Sequence, residues 1–249
     1  MDYSEREKNT IQITAICKAT DKINNATKEK EKENMAKKDE IIQLKEVNPK
    51  TATFHIEGTS AIICNKMDDV TKRDLLDQRK DRAKEVKKPN KWEKIITSIH
   101  WYNGDPENFT EETLHEQLDP AKNAPCFTTF GFKKAMCDAV VRFGIDKYST
   151  KFKAAVSMNS KNGLIPFKYS SYRMREELMS PKRGAPILVY INEFGGWSAD
   201  VTITYIDSVY SLDQIVNIIN LTGIGIGIGS GRNAEFGRFK VTGVTQVGE

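Results

Sequence analysis

The sequence lacks the patterns that mark membrane, secreted and small metal-binding proteins. None of its 249 residues fall in an apolar run approaching the ~18 residues of a membrane-spanning helix. The first residues lack the apolar stretch of a secretory signal. The four cysteines form no Cys-x-x-Cys pair, which argues against zinc-finger and thioredoxin-like interpretations. We therefore expect a protein of a reducing, cytoplasmic compartment that has no membrane partner.

Catalytic signatures are equally scarce. There are three histidines, His55, His100 and His115, and no His-Glu-x-x-His, Gly-x-Ser-x-Gly or Walker phosphate loop. No paired spacing of metal ligands is present, so neither a metal nor a cofactor is predicted. His100 lies beside Trp101 and near Tyr102, and it is the one candidate for a general base. A structural histidine is the more ordinary interpretation, and no catalytic residue is predicted.

Positive charge is concentrated in the middle of the chain. The net charge is only +4, but residues 142–183 carry ten Lys or Arg against three Asp or Glu. Residues 66–94 carry eleven against seven, whereas residues 95–141 are acidic. Such a block suits a phosphate backbone, and it is also typical of a solvated lysine-rich surface.

The order of elements predicts an α+β fold. Residues 51–64 are β-rich with a possible bulge at Gly58, and apolar periodicity indicates a helix over 128–143. A hairpin over 153–168, strands over 186–192 and 197–206, a helix from Ser211 to a stop at Gly223 and a last strand follow. Residues 103–125 indicate a loop. The β-α-β-β-α-β order predicts an antiparallel, ferredoxin-like or RRM-like core.

The predicted domain plan has one core and one extension. Residues 1–50 form a charged extension, with a possible short strand over 10–17 and a Lys/Glu-rich segment over 26–46. Residues 51–249 form the core, into which a basic helical segment is inserted at about 66–94. A basic loop or hairpin region follows at about 151–183.

Two segments could bind an anion. Residues 223–241 are rich in glycine, which exposes backbone N–H groups, and they carry Arg232 and Arg238. At residues 124–134 hydroxyl groups enter the start of a helix and two lysines follow. A glycine-rich edge strand and an ordinary capped helix are the alternative interpretations.

These segments together resemble the RAMP superfamily, which includes the RNA-binding backbone subunits of CRISPR effector complexes. Gly58-Thr59-Ser60 is similar to the small polar turn that ends the family's first strand. Residues 125–133 are similar to its Pro-led helix start, although two residues are added and the usual Gly before the hydroxyls is missing. Residues 229–239 are similar to its glycine-rich closing loop.

The resemblance implies a function and a set of site residues. It implies an RRM-like subunit that holds a single RNA strand, assembles side by side with copies of itself and works with additional protein subunits. The residues it carries over are Thr128, Thr129, Lys133, Lys134, Gly229, Gly231, Arg232, Gly237 and Arg238. The same closing run, with Trp197-Ser198-Ala199 and residues 211–220, also resembles a bacteriophage protein family, which implies a bacterial host cell.

The basic region itself points to single-stranded nucleic acid. Tyr172, Arg173 and Arg175 interleave an aromatic ring with guanidinium groups, a pattern suited to unstacked bases and phosphates. The expected function is therefore non-enzymatic binding of one strand, most simply a guide RNA, with its bases free to pair. The alternatives are a phage anti-defence protein that sequesters a nucleotide-like ligand or host factor, and an endoribonuclease that uses His100.

Overall fold

Strands and helices alternate along the described part of the chain. The computed structural model describes residues 49–78, 90–119, 121–158, 160–179 and 186–247. The strands are β1 (Pro49–Gly58), β2 (Ile62–Ile63), β3 (His100–Trp101), β4 (Pro125–Thr128), β5 (Val156–Ser157), β6 (Leu164–Lys168), β7 (Ser171–Met179), β8 (Ile187–Gly195), β9 (Ser198–Ile206) and β10 (Phe239–Val247). The helices are α1 (Asp69–Gln78), α2 (Lys91–Thr97), α3 (Glu111–Gln117), α4 (Thr129–Arg142), α5 (Thr150–Ala155) and α6 (Leu212–Leu221), and a π-helical turn (Thr222–Ile226) continues α6. None of the helices in these ranges is long and apolar enough to cross a membrane.

The main sheet has the topology that the sequence predicts. Its strand order is β10-β1-β9-β6-β4-β3, and every pair is antiparallel. The elements β1, α4, β6, β9, α6 and β10 follow one another as β-α-β-β-α-β, with the last strand beside the first. This arrangement confirms an α+β, ferredoxin-like core with an antiparallel sheet.

One face of the main sheet packs on two helices. Phe54 and Ile56 of β1 and Val201 and Ile203 of β9 alternate inward and are buried. The two helices pack against this face with buried residues of their own. These are Phe132, Met136, Ala139 and Val140 on α4 and Ile215, Ile218 and Ile219 on α6. The helix predicted from Ser211 begins with a capping box, in which Ser211 and Gln214 exchange hydrogen bonds.

The opposite face of the main sheet is polar. Thr53 of β1 and Thr202 of β9 share a hydrogen bond of 3.0 Å between their hydroxyl oxygens. One row along, Nδ1 of His55 lies 2.8 Å from Oδ1 of Asp200. We refer to this side of the sheet as the open face.

A second sheet is formed by strands in the order β2-β8-β7. Asn192 of β8 is buried and joins the sheet to α2, since its Nδ2 donates to Oγ of Ser98 at 2.8 Å. Residues 171–179, part of the region predicted as a basic loop or hairpin, are thus a strand paired along its length with β8. Its charged residues conceal the strand pattern in the sequence because their partners lie on β8, as Glu193 does for Arg175 at 2.9 Å.

Two predictions about local structure are wrong because the partners lie elsewhere in the sheet. The segment 153–168 is not a hairpin, since β5 and β6 both pair with β9 and not with each other. The chain does turn within this segment, at Asn162 and Gly163, both of which have positive φ. Gly58 ends β1 and is not a bulge, because the pairing with β10 shifts between His55 and Ile56.

Three further predictions are corrected, and all of them concern where helices occur or end. The predicted loop over 103–125 contains α3, whose N-cap Thr110 accepts a hydrogen bond from the amide of Thr113 at 3.1 Å. Phe143 is the last residue of the predicted helix over 128–143, but it caps α4 and its side chain is 46% exposed. Gly223 does not stop α6, because the chain continues into the π-helical turn.

Several predictions lie outside the described residues. They concern the strand over 10–17, the Lys/Glu-rich segment over 26–46 and the part of the basic insertion beyond Gln78 up to Pro89. The division at residue 50 therefore stays a prediction.

Replacing Gly223 should unfold the protein at lower denaturant concentration. A Cβ at Gly223 would collide with the carbonyl oxygen of Phe239, a backbone atom of β10. We expect Gly223→Ala to lower the free energy of unfolding by about 3 kcal/mol, measured by urea denaturation. Gly243→Ala is the control, because its Cβ would lie at an ordinary 3.7 Å from the Cβ of His55. Equal stability of the two variants would contradict this packing.

Candidate functional site

A cleft brings together segments that are far apart in the sequence. It lies where the start of α4, the glycine-rich loop after α6 and the edge strand β3 meet, and its volume is about 200 Å³. Its described lining residues are Cys64, Asn65, His100, Cys126, Phe127, Thr128, Gly131, Phe132, Lys134, Ile228, Gly229, Ser230 and Arg232. Five residues singled out from the sequence, Thr128, Lys134, Gly229, Arg232 and His100, therefore share one site.

The start of α4 supplies a hydroxyl group and a cation. Thr128 is the N-cap, and its Oγ1 accepts a hydrogen bond from the amide of Gly131 at 3.0 Å. Lys134 is exposed and lines the cleft one turn further along the helix. The positive end of the helix dipole adds to the potential there.

The glycine-rich loop supplies backbone amides. The amide of Ser230 donates to the carbonyl of Ile63 at 2.7 Å, which holds the loop against the chain that follows β1. Gly229 has φ +77°, and a Cβ there would collide with the carbonyl oxygen of Ile63, so only glycine permits this approach. The amides of Gly229 and Gly231 have no acceptor among the described residues. Gly229 lines the cleft, where its amide is available to an anion, whereas Gly231 lies outside the lining.

Positive charge dominates the lining of the cleft. Arg232 lies with Nη1 3.9 Å from Oδ2 of Asp138, and about a third of its side chain is exposed. No carboxylate belongs to the described lining, whereas Lys134 and Arg232 both do. An exposed ion pair of this length is weak, and Arg232 can turn to a phosphate at little cost.

The floor of the cleft is uncharged. Cys64 and Cys126 are buried free thiols. Burial raises the pKa of Cys126 to about 12, and burial with the proximity of Cys126 raises that of Cys64 further. Both thiols are therefore protonated at neutral pH and act as small apolar groups. In the ranges that the structure describes, no group of three or more potential metal ligands occurs.

His100 lies at the edge of the cleft, on β3. Its pKa is lowered, first by burial and then by the charge of Lys66, against a smaller opposing effect of Asp105. Nζ of Lys66 and Oδ2 of Asp105 form an ion pair at 2.8 Å. His100 is thus neutral at pH 7, and it can accept a proton there.

The remaining residues carried over by the resemblance lie close to the cleft without lining it. Thr129 donates to the carbonyl of Gly163 at 3.2 Å, and Nζ of Lys133 donates to the carbonyl of Lys153 at 3.0 Å. The amide of Gly237 donates to Ala61 at 2.8 Å, and Nη1 of Arg238 donates to the carbonyl of Ile224 at 3.1 Å. These groups support the loop and the helix around the site.

The Tyr/Arg group lies apart from the cleft, on β7. The ring of Tyr172 packs on Phe194 with the centroids 5.2 Å apart, and its hydroxyl donates to Asn192 at 2.7 Å. Burial raises the pKa of Tyr172. Arg175 forms ion pairs with Glu177 and Glu193, while Arg173 is exposed. Their predicted contact with nucleic acid stays a prediction.

Among the lining residues that sequence reasoning missed are two with polar side chains, Asn65 and Ser230. Ser230 lies between two glycines of the closing loop, and that position was a usable signal. Asn65 carries no such signal, because its place depends on the chain leaving the main sheet after β1.

Comparisons with known proteins give weak structural likenesses. No protein-family model and no curated protein matches the sequence. One similar structure is a chain in the cryo-EM structure of the Type III-B Cmr-beta bound to cognate target RNA, with a TM-score of 0.41 and 11% sequence identity. The match covers 91% of this protein and 66% of the Cmr-beta chain. The crystal structure of Cmr6 from Pyrococcus furiosus has a TM-score of 0.36 and 9% identity, with 79% of this chain and 100% of that chain covered. Similarities of this size carry no functional argument, which rests on the cleft.

Proposed function

We propose that the cleft binds the sugar-phosphate backbone of a single RNA strand. The observation that carries the proposal is the convergence of Lys134, Arg232 and the unpaired amide of Gly229 on one cleft without a lining carboxylate. Cations and backbone N–H groups are the usual partners of phosphate in protein–nucleic acid complexes.

The same lining explains why bases would remain free. Its polar groups are mainly donors of hydrogen bonds to anions, and its floor of buried thiols and phenyl rings offers little to the edge of a base. Backbone contacts fix the position of a strand without reading its sequence. A strand held in this way can still pair with a second strand.

The chain would then act as a RAMP-type subunit. Copies would bind side by side along a guide RNA in the cytoplasm of a bacterial cell, together with further protein subunits. The support is the confirmed order of the core elements and the meeting of the two family-like motifs at one cleft. A phage origin and an anti-defence role belong to the same proposal as its biological variants.

A second candidate function is RNA cleavage. The observation that favours it is the position of neutral His100 in the lining of the proposed RNA cleft, where it could accept the proton of a 2′-hydroxyl group. Sequestration of one nucleotide would differ from strand binding in the salt dependence of its affinity, because a single ligand would engage fewer phosphates than a strand.

The double variant Lys134→Ala/Arg232→Ala should weaken RNA binding. Fluorescence anisotropy with a labelled single strand should show a loss of about tenfold or more at low salt, and equally for all sequences. The slope of log affinity against log salt should fall by about 1.4, since each phosphate contact contributes about 0.7. A shallow slope in the parent protein would favour the single-nucleotide ligand.

The control is Lys147→Ala/Lys240→Ala, which removes the same charge from exposed side chains that line none of the described hollows. It should retain most of the affinity. Equal losses of affinity in both double variants would mean that RNA binds through the overall positive charge of the protein. That result would contradict a specific role of the cleft.

Assembly should depend on RNA. The protein purified from a heterologous host should carry nucleic acid, seen in its ultraviolet absorbance, and should have the mass of an oligomer by light scattering. Ribonuclease treatment should reduce it to a smaller species because neighbouring copies share one strand. An oligomer unaffected by ribonuclease would contradict assembly along RNA.

Cleavage, if it occurs, should require His100. His100→Ala should abolish it, whereas His115→Ala, an exposed position on α3, should not. Because the pKa of His100 lies below the ordinary 6.5, the rate should rise with pH through that lower value and be level at neutral pH. Unaltered RNA in the presence of the parent protein would remove this candidate.

A further inference from the structure

A second cavity lies on the open face of the main sheet. Its volume is about 330 Å³, which is in the range of small-ligand sites. Its apolar lining on this face includes Ala124 and Pro166, while His55, Lys168 and Asp200 stand around it. We refer to it as the sheet pocket.

Shared lining residues connect the sheet pocket to the cleft. His100 lines both the cleft and a neighbouring depression that contains Tyr102 and Lys161. Tyr102 and Lys161 also line a further depression, which shares Asp200 with the sheet pocket. The four hollows therefore form one continuous track across the surface.

The pairing of the strands explains this continuity. His100 is opposite Cys126, which is opposite Pro166, and Lys168 is opposite Ser198. Residues two apart on a strand share a face, so His100, Lys168 and Asp200 all belong to the open face. Four strand spacings separate β3 from β1, so the track extends about 19 Å from His100 to His55.

The track is suited to a strand that leaves the cleft. Nζ of Lys161 lies 5.4 Å from the centre of the Tyr102 ring. A cation and an aromatic ring therefore lie side by side between the cleft and the sheet pocket. Lys168 is exposed, and no ion pair engages it among the described residues. Cations and aromatic rings in alternation are typical of surfaces that follow single-stranded nucleic acid.

The sheet pocket has a polar group of a different kind. Asp200 is largely exposed, and its Oδ1 accepts from Nδ1 of His55 at 2.8 Å. Its Oδ2 has no hydrogen bond to the described chain. A fixed carboxylate above an apolar floor repels phosphate and attracts the N–H groups of a base.

We propose that the sheet pocket selects a guanine base of the bound strand. Guanine is the base whose N1–H and N2–H donors lie side by side, so it can meet both oxygens of the Asp200 carboxylate. Its ring would rest on the apolar floor, and Lys168 is placed to donate to the O6 and N7 edge. The proposal rests on the proposed function, because the strand must first be held in the cleft.

The test compares RNA strands of about 12 nucleotides by fluorescence anisotropy at fixed salt. The strands are oligouridine, alternating uridine and guanosine, and the same alternation with inosine, which lacks the N2 amino group. We expect the parent protein to bind the guanosine strand about tenfold more tightly than oligouridine, with the inosine strand between them. Asp200→Asn should remove this preference while the affinity for oligouridine stays or rises.

Asp207→Asn is the matched control. Asp207 is a carboxylate just after β9, the strand that carries Asp200, its replacement removes the same charge, and it does not line the sheet pocket. This variant should keep the preference for guanosine. Equal affinities of the parent protein for all three strands, or a preference that survives Asp200→Asn, would overturn the sheet pocket alone. Absence of binding to every strand would overturn the proposed function together with it.

Discussion

The candidate site depends on the close approach of two backbone segments that are far apart in the sequence. The amide of Ser230 donates to the carbonyl of Ile63, and the amide of Gly237 donates to the carbonyl of Ala61. These bonds hold the closing loop against the chain after β1, with Gly229 at the point of tightest contact. Without them Arg232 and the free amide of Gly229 would not share the cleft with Lys134, and only a capped helix would remain.

The two surfaces around this loop differ in chemistry. The cleft has cations, the unpaired amide of Gly229 and protonated thiols, and no carboxylate belongs to its described lining. The open face has hydroxyl groups paired across strands and a carboxylate oriented by a histidine. A strand in contact with both would be held by its backbone at one place and could be read by a base at another.

The sequence predicts the core well where periodicity and capping agree. The α4 and α6 helices have regular apolar spacing and hydroxyl caps at Thr128 and Ser211, and both begin at the expected positions. Prediction fails where pairing is decided by distant partners. β7 looks like a loop because Arg175 and its neighbours are charged, and only β8 shows where those charges pair. Likewise, the short segments β5 and β6 suggest a hairpin although each pairs with β9.

The candidate site could be predicted only in part, because local sequence patterns reveal some of its residues and distant packing decides the others. Glycines and hydroxyls reveal the loop and the helix start, but Lys133 and Lys134 are neighbours that the sequence cannot distinguish. The structure separates them, since Lys134 lines the cleft while Lys133 donates to Lys153. Tyr172 shows the opposite case, in which an aromatic residue in a basic segment packs against Phe194.

The position of β1 has a consequence for synthesis of the protein. This central strand pairs with β9 and β10, and its threonines bond to residues about 150 positions later, as Thr51 does to Thr204 at a separation of 153 residues. While the chain is being made, β1 has no partner until β9 has left the ribosome. Such long-range pairing slows folding and leaves a strand edge exposed to aggregation. We therefore expect the nascent chain to need protection by a chaperone until nearly all of it has been translated.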